Sequence, residues 1–423
     1  MVVGGGPVGA ALALALAGSG LRVLVAEAAE GGRGAGYDGR AIALAWASRR
    51  ILEALGLWPA LEGAAQPIHR IHVSERGRLA GAVLDRARAG VPALGYVLRG
   101  RELGQALLPA LAAAPGVELL APARLEALRA GPEAVEARLA TPGGPVRVRA
   151  ALVAAADGAR STARRLAGIG VRERAYRQEA VVAAVRPERP HRAWAFERFT
   201  DTGPMALLPL RDGRCALIWT ARPEEAPALA ALPEGAFLAR LQARFGHRLG
   251  RFLAAGPRAR YPLGLLEARR LTAPRLALLG NAAHTLHPVA GQGLNLGLRD
   301  AAALAEAVLE ARRAGEDPGG EAVLARYARW RRGDQRAVAG LTDLLAWGFA
   351  SPLPPVRLAR GLALGAMDLL PPLQGLLTRR TLGLAGRLPR LALGRPLVPP
   401  LDPPPLDPEV SRGRAAAAEE GRP

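Results

Sequence analysis

Lysine is absent from this chain, cysteine occurs once, and aromatic residues make up only 4% of the 423 positions. The single cysteine, Cys215, excludes an internal disulfide and any paired-cysteine metal site, so we predict no metal centre and expect a reducing compartment. All 57 basic residues are arginines, and they are scattered along the chain. With so few aromatic side chains to stack on bases, the sequence argues against a nucleic-acid-binding protein.

The chain also lacks the long apolar runs of a polytopic membrane protein. Half of its residues are hydrophobic, 22% are charged and the mean hydropathy is +0.10, which is typical of a globular protein. This length predicts at least two domains. The formal net charge of +20 favours an anionic partner, either a phosphate-bearing cofactor or an acidic membrane face. No secretory signal is visible, and we expect a cytoplasmic protein.

The start of the chain has the order strand, glycine turn, helix, strand and acid. Gly4, Gly6 and Gly9 form a GxGxxG motif, and Glu27 follows a second apolar segment at 21–26. These glycines let the backbone approach a pyrophosphate, and an acid at this spacing accepts hydrogen bonds from a ribose. The segment predicts dinucleotide binding; the alternative is a glycine turn without a ligand. Few residues precede the glycines, so we expect the natural start to lie further upstream.

Two later turns each follow a short apolar run, at Asp157-Gly158 and at Gly280-Asn281. Beyond them, glycines stand at a junction between a loop and a helix. Backbone N–H groups at a helix N-terminus stabilise negative charge, such as that on the N1 and C2 side of a reduced flavin. The alternative is an ordinary glycine-rich helix start. The residues of this junction are Gly291, Gly293, Leu294 and Asn295.

These motifs together resemble the single-component FAD-dependent aromatic hydroxylases related to p-hydroxybenzoate hydroxylase. Within that family the chain is most similar to the ubiquinone-biosynthesis branch, and there to the hydroxylases of 2-polyprenyl-6-methoxyphenol. The resemblance extends from residue 1 to about Gly386. The segments that carry it are Tyr37 to Leu44, Phe196 to Phe199 with Gly203-Pro204, Asp212 to Cys215, Gly280 to Pro288 and Gly291 to Gly297.

The resemblance implies roles for particular residues. Arg40 contacts FAD, Asp157 supports the flavin site and the use of a nicotinamide nucleotide, and Pro288 lies beside the isoalloxazine. Arg101, at the head of a helix, is a further candidate. The family usually has Gly-Asp where this chain has Gly280-Asn281, but an amide can still hydrogen-bond a ribityl hydroxyl. The predicted cofactor-binding residues are Gly4, Gly6, Gly9, Glu27, Arg40, Arg101, Asp157, Asn281, Pro288, Gly291, Gly293, Leu294 and Asn295.

The resemblance also implies the reaction. NAD(P)H reduces FAD, oxygen adds to give a flavin C4a-hydroperoxide, and one oxygen atom is transferred to a phenol ring. We expect a monooxygenase that converts 2-polyprenyl-6-methoxyphenol to the 1,4-benzoquinol in ubiquinone biosynthesis. The alternatives are hydroxylation at another ring position or of another phenol, a flavoprotein accessory subunit without activity, and an arginine-driven binder of nucleic acid or membrane. We name no catalytic side chain, because the flavin carries the difficult step.

The predicted fold class is α/β. A Rossmann-type FAD-binding domain is built from discontinuous segments, a mostly antiparallel substrate-binding sheet is inserted between them, and a helical region follows. The proline-rich end of the chain is expected to be disordered. The predicted limits are 1–66, 86–165 and 262–330 for the FAD-binding domain, 67–85 and 166–261 for the substrate-binding domain, 331–390 for the helical region and 391–423 for the tail.

The remaining candidates have ordinary alternatives. His284 and His287 are three residues apart, and without further ligands nearby a structural role is favoured over catalysis or metal binding. Aromatic residues between 194 and 219 either wall a lipophilic pocket or, as is more usual, form the core of the sheet. The leucine-rich, proline-broken stretch 353–384 carries arginines and suits an anionic bilayer surface, or it packs on the FAD-binding domain. We therefore expect peripheral contact with the inner membrane face or a ubiquinone-biosynthesis complex.

Overall fold

The computed structural model describes residues 1–32, 34–78, 81–287, 291–350 and 371–397. The strands are β1 (Val2–Val3), β2 (Val23–Ala26), β3 (Ala41–Ala45), β4 (Gln66–Ile68), β5 (Arg70–Glu75), β6 (Gly81–Asp85), β7 (Gly95–Arg99), β8 (Val117–Leu120), β9 (Arg124–Ala130), β10 (Val135–Thr141), β11 (Gly144–Ala150), β12 (Val153–Ala155), β13 (Val171–Pro187), β14 (Trp194–Thr200), β15 (Gly203–Pro209), β16 (Cys215–Ala221), β17 (Phe252–Ala255), β18 (Ala259–Ala268), β19 (Thr272–Ala273), β20 (Leu276–Leu278) and β21 (His284–Thr285). The helices are α1 (Pro7–Leu16), α2 (Trp46–Ala54), α3 (Trp58–Glu62), α4 (Arg86–Ala89), α5 (Gly100–Ala113), α6 (Thr162–Leu166), α7 (Ala226–Ala231), α8 (Glu234–Phe245), α9 (Gln292–Arg313), α10 (Glu321–Ala350) and α11 (Pro371–Thr381).

A mostly parallel sheet has the strand order β19-β20-β12-β1-β2-β8. Val2 of β1 lies between Ala154 of β12 and Val25 of β2, and both pairings are parallel. β1, β12 and β20 are short, apolar and buried, as expected for strands covered on both faces. Because the carboxyl ends of parallel strands share one edge of a sheet, the turns that follow these three strands meet there.

Helix α1 packs on β1 and β2, and α9 packs along α1. α1 begins with a proline and continues as an alanine and leucine run that is buried on nearly every side, as expected of a helix that is apolar all round. Gly9 faces the turn after β1. A Cβ atom at Gly9 would lie 1.9 Å from the carbonyl oxygen of Gly4, so this glycine permits the close contact between helix and turn.

The largest sheet has the strand order β21-β18-β13-β16-β15-β14-β5-β6, with β17 paired to β13. Its pairings are antiparallel except that between β5 and β14. One face packs against α7 and α8 in a core that contains Phe196, Trp219, Phe237 and Phe245. Most of the aromatic residues between 194 and 219 therefore belong to the core of the sheet, which was the more usual of the two alternatives. The opposite face borders the cavity described below.

Two three-stranded sheets, β3-β7-β4 and β11-β10-β9, complete the architecture. The predicted fold class is confirmed, with a parallel sheet carrying the glycine turns, a mostly antiparallel sheet and a helical C-terminal region. The exact domain limits stay a prediction. β18 crosses the proposed limit at 261/262, and β21 joins the antiparallel sheet from within the predicted FAD-binding segment.

The prediction that residues 391–397 belong to a disordered tail is wrong, because this segment packs on the rest of the protein. Leu391, Ala392 and Leu397 are buried in the core of the parallel-sheet region, next to α2 and α9. The proline-rich composition of this segment favoured a prediction of disorder. Burial of the three apolar side chains nevertheless stabilises the folded protein. Residues 398–423 and most of the predicted membrane-surface stretch lie outside the described residues. Within the part of the chain that is described, no helix has both the length and the apolarity needed to cross a bilayer.

A buried ionic network centred on Asp300 joins α9 to α10 and to the turn after β20. Oδ1 of Asp300 accepts hydrogen bonds from Nε of Arg331 at 2.7 Å and Nε2 of Gln335 at 3.0 Å. Oδ2 lies 2.6 Å from Nε2 of His284 and accepts a hydrogen bond from the N–H of Gly280 at 3.2 Å. Burial alone would raise the pKa of Asp300, but Arg331 and His284 outweigh it and hold the pKa well below its usual range. The predicted structural role of His284 is confirmed.

Replacing Asp300 with alanine should destabilise the protein by about 3–5 kcal/mol, because the change leaves the buried Arg331 guanidinium without its main partner. Asp201→Ala is the matched control, since Asp201 also contacts two arginines, Arg76 and Arg244, but is exposed. Its loss should cost about 0–1 kcal/mol. Urea unfolding of the parent and of both variants measures the two losses in the free energy of unfolding. Equal unfolding midpoints would show that the buried network contributes no more than an exposed ion pair.

Candidate functional site

The turns after β1, β12 and β20 line a cleft with a volume of about 560 Å³. Side chains and backbone from four distant segments of the chain form its wall. Most of the residues predicted from the sequence are among them. These are Gly4, Gly6, Glu27, Arg40, Asp157, Asn281, Gly293 and Leu294.

Glu27 is buried beside the glycine turn and holds it in place. Its Oε2 accepts a hydrogen bond from the N–H of Gly5 at 2.7 Å, and its Oε1 accepts one from the N–H of Ala29 at 2.9 Å. The Tyr37 hydroxyl donates to the carbonyl of Gly5 at 2.8 Å, and burial, followed by the charge of Glu27, raises the pKa of Tyr37 so that it remains a donor. Glu27 therefore supports the turn as well as lining the cleft; its contact with a ribose stays a prediction.

Asp157 has one satisfied and one unsatisfied carboxylate oxygen. Oδ2 accepts a hydrogen bond from the N–H of Ala163 at 3.0 Å, whereas Oδ1 is buried and has no partner among the described residues. Leaving a buried acceptor unpaired is costly. Because Asp157 lines the cleft, Oδ1 is suited to accept a hydrogen bond from a bound ligand.

Arg164 fastens two of the three turns to each other. Its guanidinium is buried and donates to the carbonyl of Ala159 and to that of Ala282, both at 2.8 Å. Ala159 belongs to the turn that begins with Asp157, and Ala282 belongs to the turn that contains Asn281. Arg164 therefore links the two turns directly, in addition to the pairing of β12 with β20.

A second, larger cavity of about 1330 Å³ adjoins the cleft. The two spaces have wall residues in common, among them Arg40, Asn281, Gly293 and Leu294. Arg40 is paired with Asp38 at 2.5 Å, and its guanidinium lies over the ring of Tyr261 at 5.0 Å. An elongated ligand can therefore lie with one end in the cleft and the other in the cavity.

The start of α9 lies at the boundary between the two spaces. Gly291 precedes the helix with a φ of 59°, and no side chain caps the helix. Asn295 donates from Nδ2 to the carbonyls of Gly291 and Ala43, and its Oδ1 accepts from the N–H of Ala45 at 2.8 Å. All of these hydrogen bonds go to the backbone, so Asn295 positions β3 against the helix start. Its direct contact with a cofactor stays a prediction.

Two other predicted residues, Gly9 and Arg101, line neither space. Gly9 has the packing role described above. Arg101 is exposed, lines neither space, and donates only its backbone N–H to the carbonyl of Asp38 at 2.6 Å among the contacts described. The structure thus does not bring the Arg101 side chain to the site, because the first turn of α5 directs it to solvent. Pro288 lies outside the described residues.

Tyr37 and Arg164 are functional neighbours that sequence analysis missed. Tyr37 begins one of the segments that carry the family resemblance, and this position was a usable signal. Arg164 had none, because one buried arginine cannot be distinguished by composition among 57 basic residues. Its importance depends on contacts between segments that are more than 100 residues apart.

Comparisons with known proteins agree with this arrangement. A family model described as an FAD binding domain matches residues 1–340. The ubiquinone hydroxylase UbiL of Rhodospirillum rubrum is 45% identical over 94% of this chain and 93% of its own length. The 3-demethoxyubiquinol 3-hydroxylase of Escherichia coli is 39% identical over 87% of this chain and 94% of its own length.

Solved structures show the same fold. The p-nitrophenol 4-monooxygenase PnpA of Pseudomonas putida has a TM-score of 0.74 and 24% identity, covering 92% of this chain and 98% of its own. PqsL of Pseudomonas aeruginosa, solved with 2-aminobenzoylacetate, has a TM-score of 0.71 and 28% identity, covering 86% of this chain and 98% of its own.

The chain belongs to this FAD-binding family. It is an FAD-dependent hydroxylase of the aromatic-hydroxylase class, with FAD as cofactor and NAD(P)H as co-substrate. The residues present fit that cofactor. The uncapped starts of α1 and α9 and the unpaired Oδ1 of Asp157 suit the phosphates and hydroxyls of a dinucleotide, and the adjoining cavity has room for the flavin ring.

Filling the cleft at Gly6 should impair FAD retention. Gly6 has a φ of −65° and no atom within 4 Å of the position of a Cβ, so Gly6→Val adds bulk to the cleft without backbone strain. Glu27→Ala should weaken binding roughly ten- to hundredfold, through lost charge-assisted hydrogen bonds and a loosened turn. Gly6→Val should be worse. The measurement is FAD released by heat and quantified by chromatography, with about one non-covalent FAD per chain expected in the parent.

Gly63→Val is the matched control for Gly6→Val. Gly63 also has a negative φ, −61°, and open space at its Cβ position, but it lies outside both the cleft and the cavity. This variant should retain FAD like the parent protein in dialysis. If Gly6→Val retains it equally well, the cofactor does not lie on this turn.

Proposed function

We propose that this chain hydroxylates a prenylated phenol in ubiquinone biosynthesis, using FAD, NAD(P)H and O₂. The observation that carries the proposal is the apolar cavity that continues from the FAD cleft. The names of the two relatives, a ubiquinone hydroxylase and a 3-demethoxyubiquinol 3-hydroxylase, indicate the kind of molecule that such a cavity takes.

The size and lining of the cavity suit a lipophilic ring. Its volume of about 1330 Å³ exceeds that of a usual single-ligand site, roughly 300–1,000 Å³, so a flavin ring and a substrate can share it. Aliphatic residues make up most of its wall, and charged groups are few. The aliphatic residues include Ile42, Ile71, Val73, Leu84, Leu94, Val182, Leu208, Ile218, Leu263, Leu286 and Leu341.

The chain's own residues have the tasks of binding, orienting and excluding water. FAD, when bound and reduced, supplies the activation of oxygen. The backbone N–H groups at the start of α9 would stabilise negative charge on the ring of a bound flavin. The sheet face formed by β13 to β16 closes the cavity on one side and keeps water from the reacting atoms.

The preferred substrate is 2-polyprenyl-6-methoxyphenol, with oxygen added para to the hydroxyl. The phenolic oxygen donates electron density to the para carbon, which favours attack there by an electrophilic oxygen. The choice of this phenol derives from the resemblance of the motifs and is an analogy. Hydroxylation at the 3-position of a related precursor is the second candidate, because the Escherichia coli relative is named for that reaction.

Contact with a membrane surface is part of the proposal. Exposed Leu344 of α10 lines the cavity, and exposed Leu376 lies on α11, whose Leu377 also lines it. Arg379 and Arg380 stand in the last turn of α11. Leucines and arginines around a lipophilic cavity suit the interface of an anionic bilayer, from which a prenylated substrate would enter.

Reaction of a short-prenyl 2-methoxyphenol analogue with NAD(P)H under ¹⁸O₂ should place one labelled atom at the para carbon of the product quinol. Mass spectrometry after fragmentation locates the label. A parallel reaction in H₂¹⁸O under ordinary oxygen should give an unlabelled hydroxyl at that carbon. Label at a different carbon would favour the second candidate, and stoichiometric hydrogen peroxide without a quinol would contradict hydroxylation.

A further inference from the structure

Glu197 occupies the middle of β14, on the sheet face that borders the large cavity. It is paired with Val73 of β5 on one side and Ala206 of β15 on the other. The same row continues across the sheet through Ile218 and Val182. Glu197, Val73, Ala206, Ile218 and Val182 all line the cavity. The carboxyl group of Glu197 is therefore the polar member of an apolar row.

The next row of the sheet is apolar throughout. It contains Ile71, Ala195, Leu208, Ala216 and Ala184, each of which lines the cavity. Glu197 thus lies on an apolar surface, and a carboxyl group in such surroundings is costly unless it has a partner.

Among the described residues, none forms a hydrogen bond or an ion pair with the side chain of Glu197. The other carboxylate in the cavity wall, that of Asp38, is paired with Arg40 at 2.5 Å. Burial raises the pKa of Glu197 from an ordinary value of 4.5 to about 7, and no neighbouring charge opposes the effect. The carboxyl group can accept a hydrogen bond, and none of the described residues supplies a donor.

We propose that Glu197 is a specificity-determining residue that accepts a hydrogen bond from the phenolic hydroxyl of the substrate and so orients the ring in the cavity. A phenol offers one O–H donor on an otherwise apolar ring, which matches one acceptor on an otherwise apolar wall. This inference rests on the proposed function, because it requires a phenolic substrate.

The test compares binding of 2-methoxy-6-geranylphenol and of its methyl ether to the FAD-loaded protein, followed by the perturbation of flavin absorbance. The parent should prefer the phenol by roughly ten- to hundredfold, the range of a hydrogen bond to a charged acceptor. Glu197→Gln, which retains a neutral acceptor, should lower this ratio, and Glu197→Leu should abolish it. Affinity for the ether should not fall in either variant.

Glu179→Gln is the matched control. Glu179 lies on β13 of the same sheet, is paired with Arg260 at 3.1 Å and does not line either space. Its substitution should leave the ratio of phenol to ether affinity unchanged.

A second readout needs no substrate. The pKa of Glu197 is raised in the folded state, so the folded protein binds the proton more tightly than the unfolded chain, and stability falls as pH rises from about 4.5 through about 7. Glu197→Gln removes this loss. The Tm of Glu197→Gln relative to the parent should therefore increase between pH 5 and pH 8, whereas that of Glu179→Gln should not. The other charged or titratable groups of the cavity wall, and Glu75 further along β5, are the same in the parent and in Glu197→Gln, so their titration affects both proteins. The wall groups are Asp38, Arg40, Arg99, Arg214 and Tyr261.

The outcomes separate this inference from the proposed function. If the parent binds and hydroxylates the phenol while Glu197→Leu keeps the full preference over the ether, the proposed function stands and the role of Glu197 is wrong. If the parent binds no phenol, the proposed function fails and the role of Glu197 fails with it. A Tm difference that does not change with pH would contradict a Glu197 carboxyl group that lacks a partner among the described residues of the cavity wall.

Discussion

The carboxylate of Asp300 is the interaction on which the site depends. It is fully buried and joins the buried side chains of Arg331 and His284, the half-buried side chain of Gln335 and the backbone of Gly280. Three separate elements, α9, α10 and the turn after β20, are thereby fixed relative to one another. That turn and the start of α9 line both the cleft and the cavity. A buried charge with several donors has few alternative arrangements, which gives the site a defined geometry.

Local turn chemistry explains why so much of the site could be predicted from the sequence. The glycines of the first turn, Asp157 and Asn281 each follow a short apolar strand, and parallel strands necessarily bring such turns to one edge. Long-range partners carry no comparable signal. Asn295 reads as part of a glycine-rich helix start, but its amide bonds β3, about 250 residues away along the chain. Arg101 is the opposite case. Its position in the sequence matches a family arginine, but its side chain does not lie at the site.

Glu197 illustrates the difference between recognising a motif and knowing its chemistry. The segment Phe196 to Phe199 was recognised as a family feature, whereas the role of its carboxyl group required the register of the sheet. The ring of Phe196 packs against Phe245 of α8, although Phe196 also borders the cavity, whereas Glu197 belongs to the row of residues that lines the cavity with Val73 and Ala206. Trp219 likewise belongs to the core. A shift of one residue in register would exchange these roles.

The central claim is that an FAD cleft and an adjoining apolar cavity together serve hydroxylation of a prenylated phenol. Mass spectrometry of the quinone precursors in cells that lack this gene tests it most directly. The account predicts accumulation of 2-polyprenyl-6-methoxyphenol and a loss of ubiquinone, both reversed by the intact gene. Unchanged ubiquinone, with no accumulated prenylated phenol, would contradict it.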